Sequence, residues 1–148
     1  MNYYSGLLRA LFFWKEYMNW PTIDGFTIDS LPKSIQGLRA GDQNWSDQGE
    51  GRHAAVCLLL IPGADGAAHV VLTKRSTTVG THKGQIGFAG GRVDDEDKTV
   101  YTTALRELSE ELGVEGPKIF AHGVLEPIKS LRFQSMIYPV LVTADVSI

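Results

Sequence analysis

One helix-forming stretch, residues 100–112, limits what this chain can fold into more than any other feature. Val100, Ala104, Leu105, Leu108 and Leu112 fall within about 140° of arc at 100° per residue, so one face of that helix has to be buried. Gly113 supplies the stop, with Gly116-Pro117 just beyond. What the helix packs on is legible to either side. Ala54 to Ile61 reads as a buried strand, Pro62 to Gly66 as a turn, and His69 to Thr73 as the second arm of a hairpin. After the helix, Ile119 to Leu125 reads as a strand and Glu126 to Ser135 as a loop. Tyr138 to Val142 reads as a final strand whose Pro139 points to an edge or a bulge. Strands before and after one long helix give an α+β domain with a mixed sheet.

The N-terminal third has a different texture. Residues 19–52 are rich in Gly, Asp, Ser, Asn and Gln and contain Pro21 and Pro32, so they read as an irregular arm with few core positions. Ahead of them, Leu7 to Trp14 is apolar but short, broken by Arg9 and followed by Lys15-Glu16. That is neither a signal peptide nor the roughly 20 apolar residues of a membrane span. It reads as an amphipathic helix packing on the domain or on a partner subunit, with a membrane-surface helix as the alternative. The expected division is therefore residues 1–51 as N-terminal helix and arm, and residues 52–148 as the folded domain. A net charge of -3 favours no nucleic-acid polymer, so an anionic substrate would need a metal or a few placed cations. Cys57 is the single cysteine; it excludes an internal disulfide, reads as a small core residue and fits a reducing cytoplasm.

The helix also has a polar face with a definite chemistry. Glu107 stands i,i+3 from Glu110 and i,i+4 from Glu111, so three carboxylates are expected on one patch, and Arg106 at i,i+4 from Glu110 can orient it. Glu111, at the border of the apolar arc, is expected to face a partly buried cleft. Such like-charge spacings repel by roughly a few tenths of a kcal/mol per pair. A divalent cation turns that repulsion into coordination. On the glutamates alone a solvated acidic face competes with a metal site. The long glycine-rich segment of residues 76–97 shifts the balance, because such loops in compact domains are usually functional. Gly90-Gly91 lets the backbone approach closely and could offer a carbonyl to a metal.

Arg106-Glu107-Leu108-Ser109-Glu110-Glu111-Leu112-Gly113-Val114 resembles the second half of the Nudix box, R-E-U-x-E-E-x-G-U with U apolar, at every defined position. The first half is looser: counted back from Arg106, Lys98 stands where the family's usual Glu falls, and Asp97 is the nearest acid. Leu72-Thr73-Lys74-Arg75-Ser76, then His82, Gly84-Gln85, Phe88, Gly90-Gly91, Asp94 and Asp97 look like the coenzyme A pyrophosphatase branch, which has a box of this lengthened form. Gly80 stands where that branch has Arg, and Ala89 where it has Pro. The resemblance covers residues 52–114 and implies an α/β/α sandwich. It also implies a further strand, an acid-bearing loop and a C-terminal helix after residue 142, for which little chain remains before Ile148. The N-terminal segment is expected to cover the sheet in that helix's place, within one subunit or across a homodimer.

The activity implied by this resemblance is attack of water on a phosphorus of a diphosphate in a small molecule, with Mg²⁺ or Mn²⁺ as cofactor. Glu107, Glu110 and Glu111 are the implied metal ligands, Glu107 being alternatively the base, and Arg106 positions them. Lys74, Arg75 and His82 are candidate substrate contacts, as are Gly90 and Gly91. Coenzyme A is the first substrate expected. A nucleoside diphosphate sugar or nucleotide is the second, and a catalytically silent binding module on the same fold is the third reading.

Overall fold

The computed structural model describes residue 35 and residues 37–63, 68–74, 86–132 and 134–144. The expected N-terminal helix over Leu7 to Trp14 lies outside the described residues, as do Arg75, Gly80, His82, Gly84 and Gln85.

Two long strands form the middle of a seven-stranded mixed sheet. Strand β2 (Arg52–Pro62) and strand β9 (Ser135–Ala144) run parallel, in register from Arg52↔Ser135 to Leu60↔Thr143. All other pairings are antiparallel, and each long strand shares its outer edge between two short ones. On β2, strand β6 (Ala89–Arg92) covers Ala54 to Cys57, and strand β3 (Ala68–Val70) covers Leu60 to Pro62 as the expected hairpin arm. On β9, strand β8 (Ile128–Ser130) covers Ser135 to Ile137, and strand β7 (Ile119–Val124) covers Val140 to Ala144. Strand β1 (Arg39–Ala40) adds to the free edge of β7, while strands β4 (Thr73–Lys74) and β5 (Ile86–Gly87) make a separate two-stranded ribbon.

Helix α1 (Val100–Leu112) lies on one face of the sheet. Thr99 and Thr102 form a reciprocal capping box at its start, and Gly113, in the left-handed region at φ 65°, closes it as expected. Val100, Ala104 and Leu108 are fully buried against Ala55, Cys57, Ala89 and Val140, while Leu105 and Leu112 sit at the rim of this core. Alternation along the sheet is strict: Ala55, Cys57, Leu59 and Ile61 of β2 and Tyr138, Val140, Val142 and Ala144 of β9 join that core. Leu60, Leu141 and Thr143, one residue out of phase, are buried on the opposite face. A second helical layer is not among the described residues.

Three sequence expectations need correcting. Residues 89–92, read as loop, are strand β6. Glycine is a poor strand former, but here a Cβ on Gly90 would stand 2.5 Å from the Ala55 carbonyl oxygen, so the ladder requires glycine. Ile128–Ser130 is a strand inside the expected loop because β9 starts three residues early and offers it an edge. Pro139 lies neither on an edge nor in a bulge. It occupies the gap between β8 and β7, where only its carbonyl is used, accepting from the Leu125 amide at 2.8 Å. In the arm before Arg52, Trp45, in the 3₁₀ turn Trp45–Asp47, packs against the rim of the core.

Candidate functional site

Strand β6 and helix α1 bring the glycines and the box residues together. Arg106 is the hub. Its Nη1 donates to Glu107 Oε1 at 2.9 Å and to Glu110 Oε2 at 3.3 Å. The other arm of the guanidinium grips Asp97, with Nη2 to Oδ2 at 2.9 Å and Nε to Oδ1 at 3.3 Å, and Nη2 also reaches the Arg92 carbonyl at 3.0 Å. The fork of Arg matches carboxylates two atoms at a time, which a lysine could not do. It ties the end of β6, the turn before the helix and two of the three box glutamates into one unit.

Burial grades these partners. The Asp97 side chain is 5% exposed, that of Glu107 15% and that of Glu110 59%. Burial alone would raise the Asp97 pKa. Hydrogen bonds from Arg106, the Asp94 amide and Thr103 outweigh it and hold the carboxyl below its usual value. The same contact with Asp97, followed by Glu107, pushes the Arg106 pKa upward, so the hub stays charged. Asp97, next to Lys98, is therefore an ionised partner of Arg106.

Glu107 lies directly over Gly91, and its carboxylate occupies the space a Cβ there would need. Glu111 is exposed, contrary to the expectation of a partly buried cleft, and accepts from the Gly90 amide at 3.3 Å through Oε2. Glu107 is thus the enclosed carboxylate. Among the described residues, no three His, Cys, Asp or Glu side chains stand close enough together to grip an ion alone. The donors present are hard carboxylate oxygens on one helix face. They suit Mg²⁺ or Mn²⁺, which commonly take one or two carboxylates, keep waters and share substrate phosphate oxygens.

The other expected site residues are less closely gathered. Lys74 is exposed on β4. Arg75 and His82 are outside the described residues. Two residues of this network were not singled out from sequence. Thr103, fully buried, donates to Asp97 Oδ2 at 2.9 Å, and Trp45 Nε1 donates to Thr103 Oγ1 at 2.9 Å. A polar residue one turn from Val100, on the buried side of the helix, is the signal that could have found Thr103. Nothing in the local sequence singles out Trp45.

Comparison with known proteins gives a family and a fold for the chain. A family model described as NUDIX domain matches residues 51–146. Mitochondrial coenzyme A diphosphatase NUDT8 of Mus musculus is 44% identical over 89 residues, 60% of this chain and 42% of that protein. Nudix hydrolase 22, chloroplastic, of Arabidopsis thaliana is 40% identical over 79 residues, 53% of this chain and 26% of that protein. The chain thus spans less than half the length of either relative. Among solved structures, a Nudix hydrolase from M. smegmatis, RenU, shares the fold with a TM-score of 0.51 and 24% identity, over 72% of each chain.

Proposed function

The chain belongs to the Nudix family, and from that premise we propose that it hydrolyses a diphosphate linkage in a small molecule, with Mg²⁺ or Mn²⁺ as cofactor. The observation that supports this best is the Arg106 fork, which holds Glu107 and Glu110 on one helix face over the glycine floor of β6. Glu107, Glu110 and Glu111 are the proposed ion-holding carboxylates. Arg106 positions the first two, and the backbone of Gly90 and Gly91 is the proposed substrate contact beside them. A divalent ion held there supplies Lewis-acid charge neutralisation for the diphosphate oxygens. The chain's own part is to fix the carboxylates before substrate arrives, so that little reorganisation is left for the reaction itself.

Coenzyme A is the proposed substrate. Support comes from the branch-like segment at residues 72–97 and from the relative named as a coenzyme A diphosphatase. The products would be an adenosine-containing bisphosphate and a phosphopantetheine. Gly80 and Ala89, which depart from that branch, favour a second reading, a nucleoside diphosphate sugar or nucleotide. Lys74 and Arg75 are proposed phosphate contacts, and His82 a proposed substrate contact, in either case. A substrate panel with Mg²⁺ or Mn²⁺ tests the proposal. Coenzyme A turned over fastest supports it, a nucleotide sugar turned over far faster moves the chain to the second reading, and no metal-dependent product from any substrate leaves a binding module.

For assembly, we propose that the apolar segment Leu7 to Trp14, which lies outside the described residues, packs on the domain within one subunit or across a homodimer. A buried, unpaired Cys57 fits a reducing compartment such as the cytoplasm. No helix among the described residues is long and apolar enough to cross a membrane.

A further inference from the structure

Trp45 precedes the residues that match the family model, yet its indole is the first donor of a chain of hydrogen bonds that ends on the box glutamates. Trp45 Nε1 donates to Thr103 Oγ1 at 2.9 Å, and that hydroxyl donates to Asp97 Oδ2 at 2.9 Å. Asp97 receives Nε and Nη2 of Arg106, whose Nη1 reaches Glu107 and Glu110. The Thr103 hydroxyl has one hydrogen and a second, longer acceptor available, the Thr99 carbonyl at 3.4 Å. An N–H donated to its oxygen polarises the hydroxyl and strengthens its donation to the carboxylate, because hydrogen bonds in series reinforce one another.

The arm holds this indole firmly. Trp45 stacks on His53 with centroids 5.6 Å apart and meets the edge of Tyr138 at 5.0 Å. Its amide donates to the Lys98 carbonyl at 3.1 Å, and Asn44 bridges Thr99. The same arm closes the start of α1: the Gln43 carbonyl takes the Val100 amide and Asp42 Oδ1 takes the Tyr101 amide, both at 2.9 Å. These are two of the helix's four otherwise unpaired first-turn donors.

We infer that Trp45 is a positioning residue for the proposed diphosphate site: through Thr103 and Asp97 its indole N–H sets the Arg106 fork, and so the placement of Glu107 and Glu110. This rests on the proposed function for its catalytic consequence only. The hydrogen-bond chain can be tested without turnover.

The test is a double-mutant cycle of Trp45→Phe and Thr103→Val in the full-length chain, with Thr103→Ser as the conservative variant. Phe keeps the ring packing and deletes the N–H, and Val keeps the shape of Thr and deletes the hydroxyl. Each single variant is expected to lower kcat about fivefold with KM little changed, the size of one lost hydrogen bond. The double variant should lose no more than either alone, and Thr103→Ser should restore the rate. Independently of activity, both variants should weaken Mn²⁺ binding measured by electron paramagnetic resonance. The Trp45 indole N–H resonance should also shift in Thr103→Val and in Asp97→Asn. Additive losses in the double variant, or an indole resonance indifferent to Thr103 and Asp97, would overturn the inference. So would equal losses in a core variant of matched stability such as Val124→Ala. If no diphosphate is hydrolysed even by the unmodified chain, the proposed function fails, and the resonance and Mn²⁺ measurements still decide the role of Trp45.

Discussion

Glu107 and Asp97 flank Arg106 and divide its two arms between chemistry and structure. Glu107→Gln keeps shape and volume, so it should leave the fold intact while lowering turnover at least about 100-fold; circular dichroism beside a steady-state assay checks both. Asp97→Asn should act the other way round. It leaves a largely buried guanidinium short of one charged partner and is expected to lower stability by about 2 kcal/mol in chemical denaturation. The pH dependence has a definite sign. The Asp97 pKa is lower in the folded chain than in the unfolded one, so its ionised form stabilises the fold above about pH 4, the ordinary carboxylate value. That contribution is lost as pH falls through the folded pKa. The stability gap between the natural chain and Asp97→Asn should therefore be flat from neutral pH to about pH 5 and narrow below about pH 4. Cys57 offers a further check: burial, helped by the nearby Glu111 charge, pushes its thiol up to about 12, and its Sγ donates to the Ala104 carbonyl. A thiol reagent at pH 8 should label it only as fast as the chain unfolds.

Strand β6 and helix α1 form the working pair of elements, and they meet through glycines and leucines. The two glycines of β6 do different jobs. A methyl on Gly90 would collide with the backbone of β2, 2.5 Å from the Ala55 oxygen and 2.7 Å from the Val56 Cα. Gly90→Ala should therefore push the strands apart, with a loss of about 1–3 kcal/mol in denaturant unfolding. A methyl on Gly91 would meet the Glu107 carboxylate first, the end of a flexible side chain. Gly91→Ala should thus unfold nearly like the natural chain but show weaker Mn²⁺ binding and slower turnover, because Glu107 has to move. On the buried side, Leu108→Ala should cost about 2–5 kcal/mol, the range for an enclosed leucine. A Gly91 variant as unstable as the Gly90 variant would contradict this division of roles.

Taken whole, the sheet has one face packed by α1 and a second on which Leu60, Leu141 and Thr143 are buried. Phe120, Ile128 and Leu131 are exposed, at 56%, 59% and 84%. We expect the full chain to self-associate in analytical ultracentrifugation, or to lose stability when residues 1–18 are removed. A monomeric chain whose shortened form is equally soluble and stable would rule out the proposed role of the N-terminal segment.

Helix α1 and the central strands were readable from residue order because their cause is local. A 3.6-residue period specifies the buried face of Val100–Leu112, Gly113 specifies its end, and a run of apolar residues specifies β2. Spacing on a helix likewise joins Arg106 to Glu110, whereas its contact with the adjacent Glu107 follows from no helical spacing. Wherever a partner distant in sequence sets the outcome, the local signal misled or was silent. Gly90 and Gly91 look like loop until β2 lies beside them, and Pro139 looks like an edge residue until the gap between β7 and β8 is seen to need no donor from it. Glu111 looks enclosed on the helical wheel but is exposed in the assembled molecule, because the glycine floor of β6 lies beneath Glu107 instead. The bond between Trp45 and Thr103 spans 58 residues, and no periodicity encodes it. Short-range backbone geometry is written in the order of residues. Contacts closed across the sheet exist only after the chain has folded back on itself, and they hold the Arg106 fork in place.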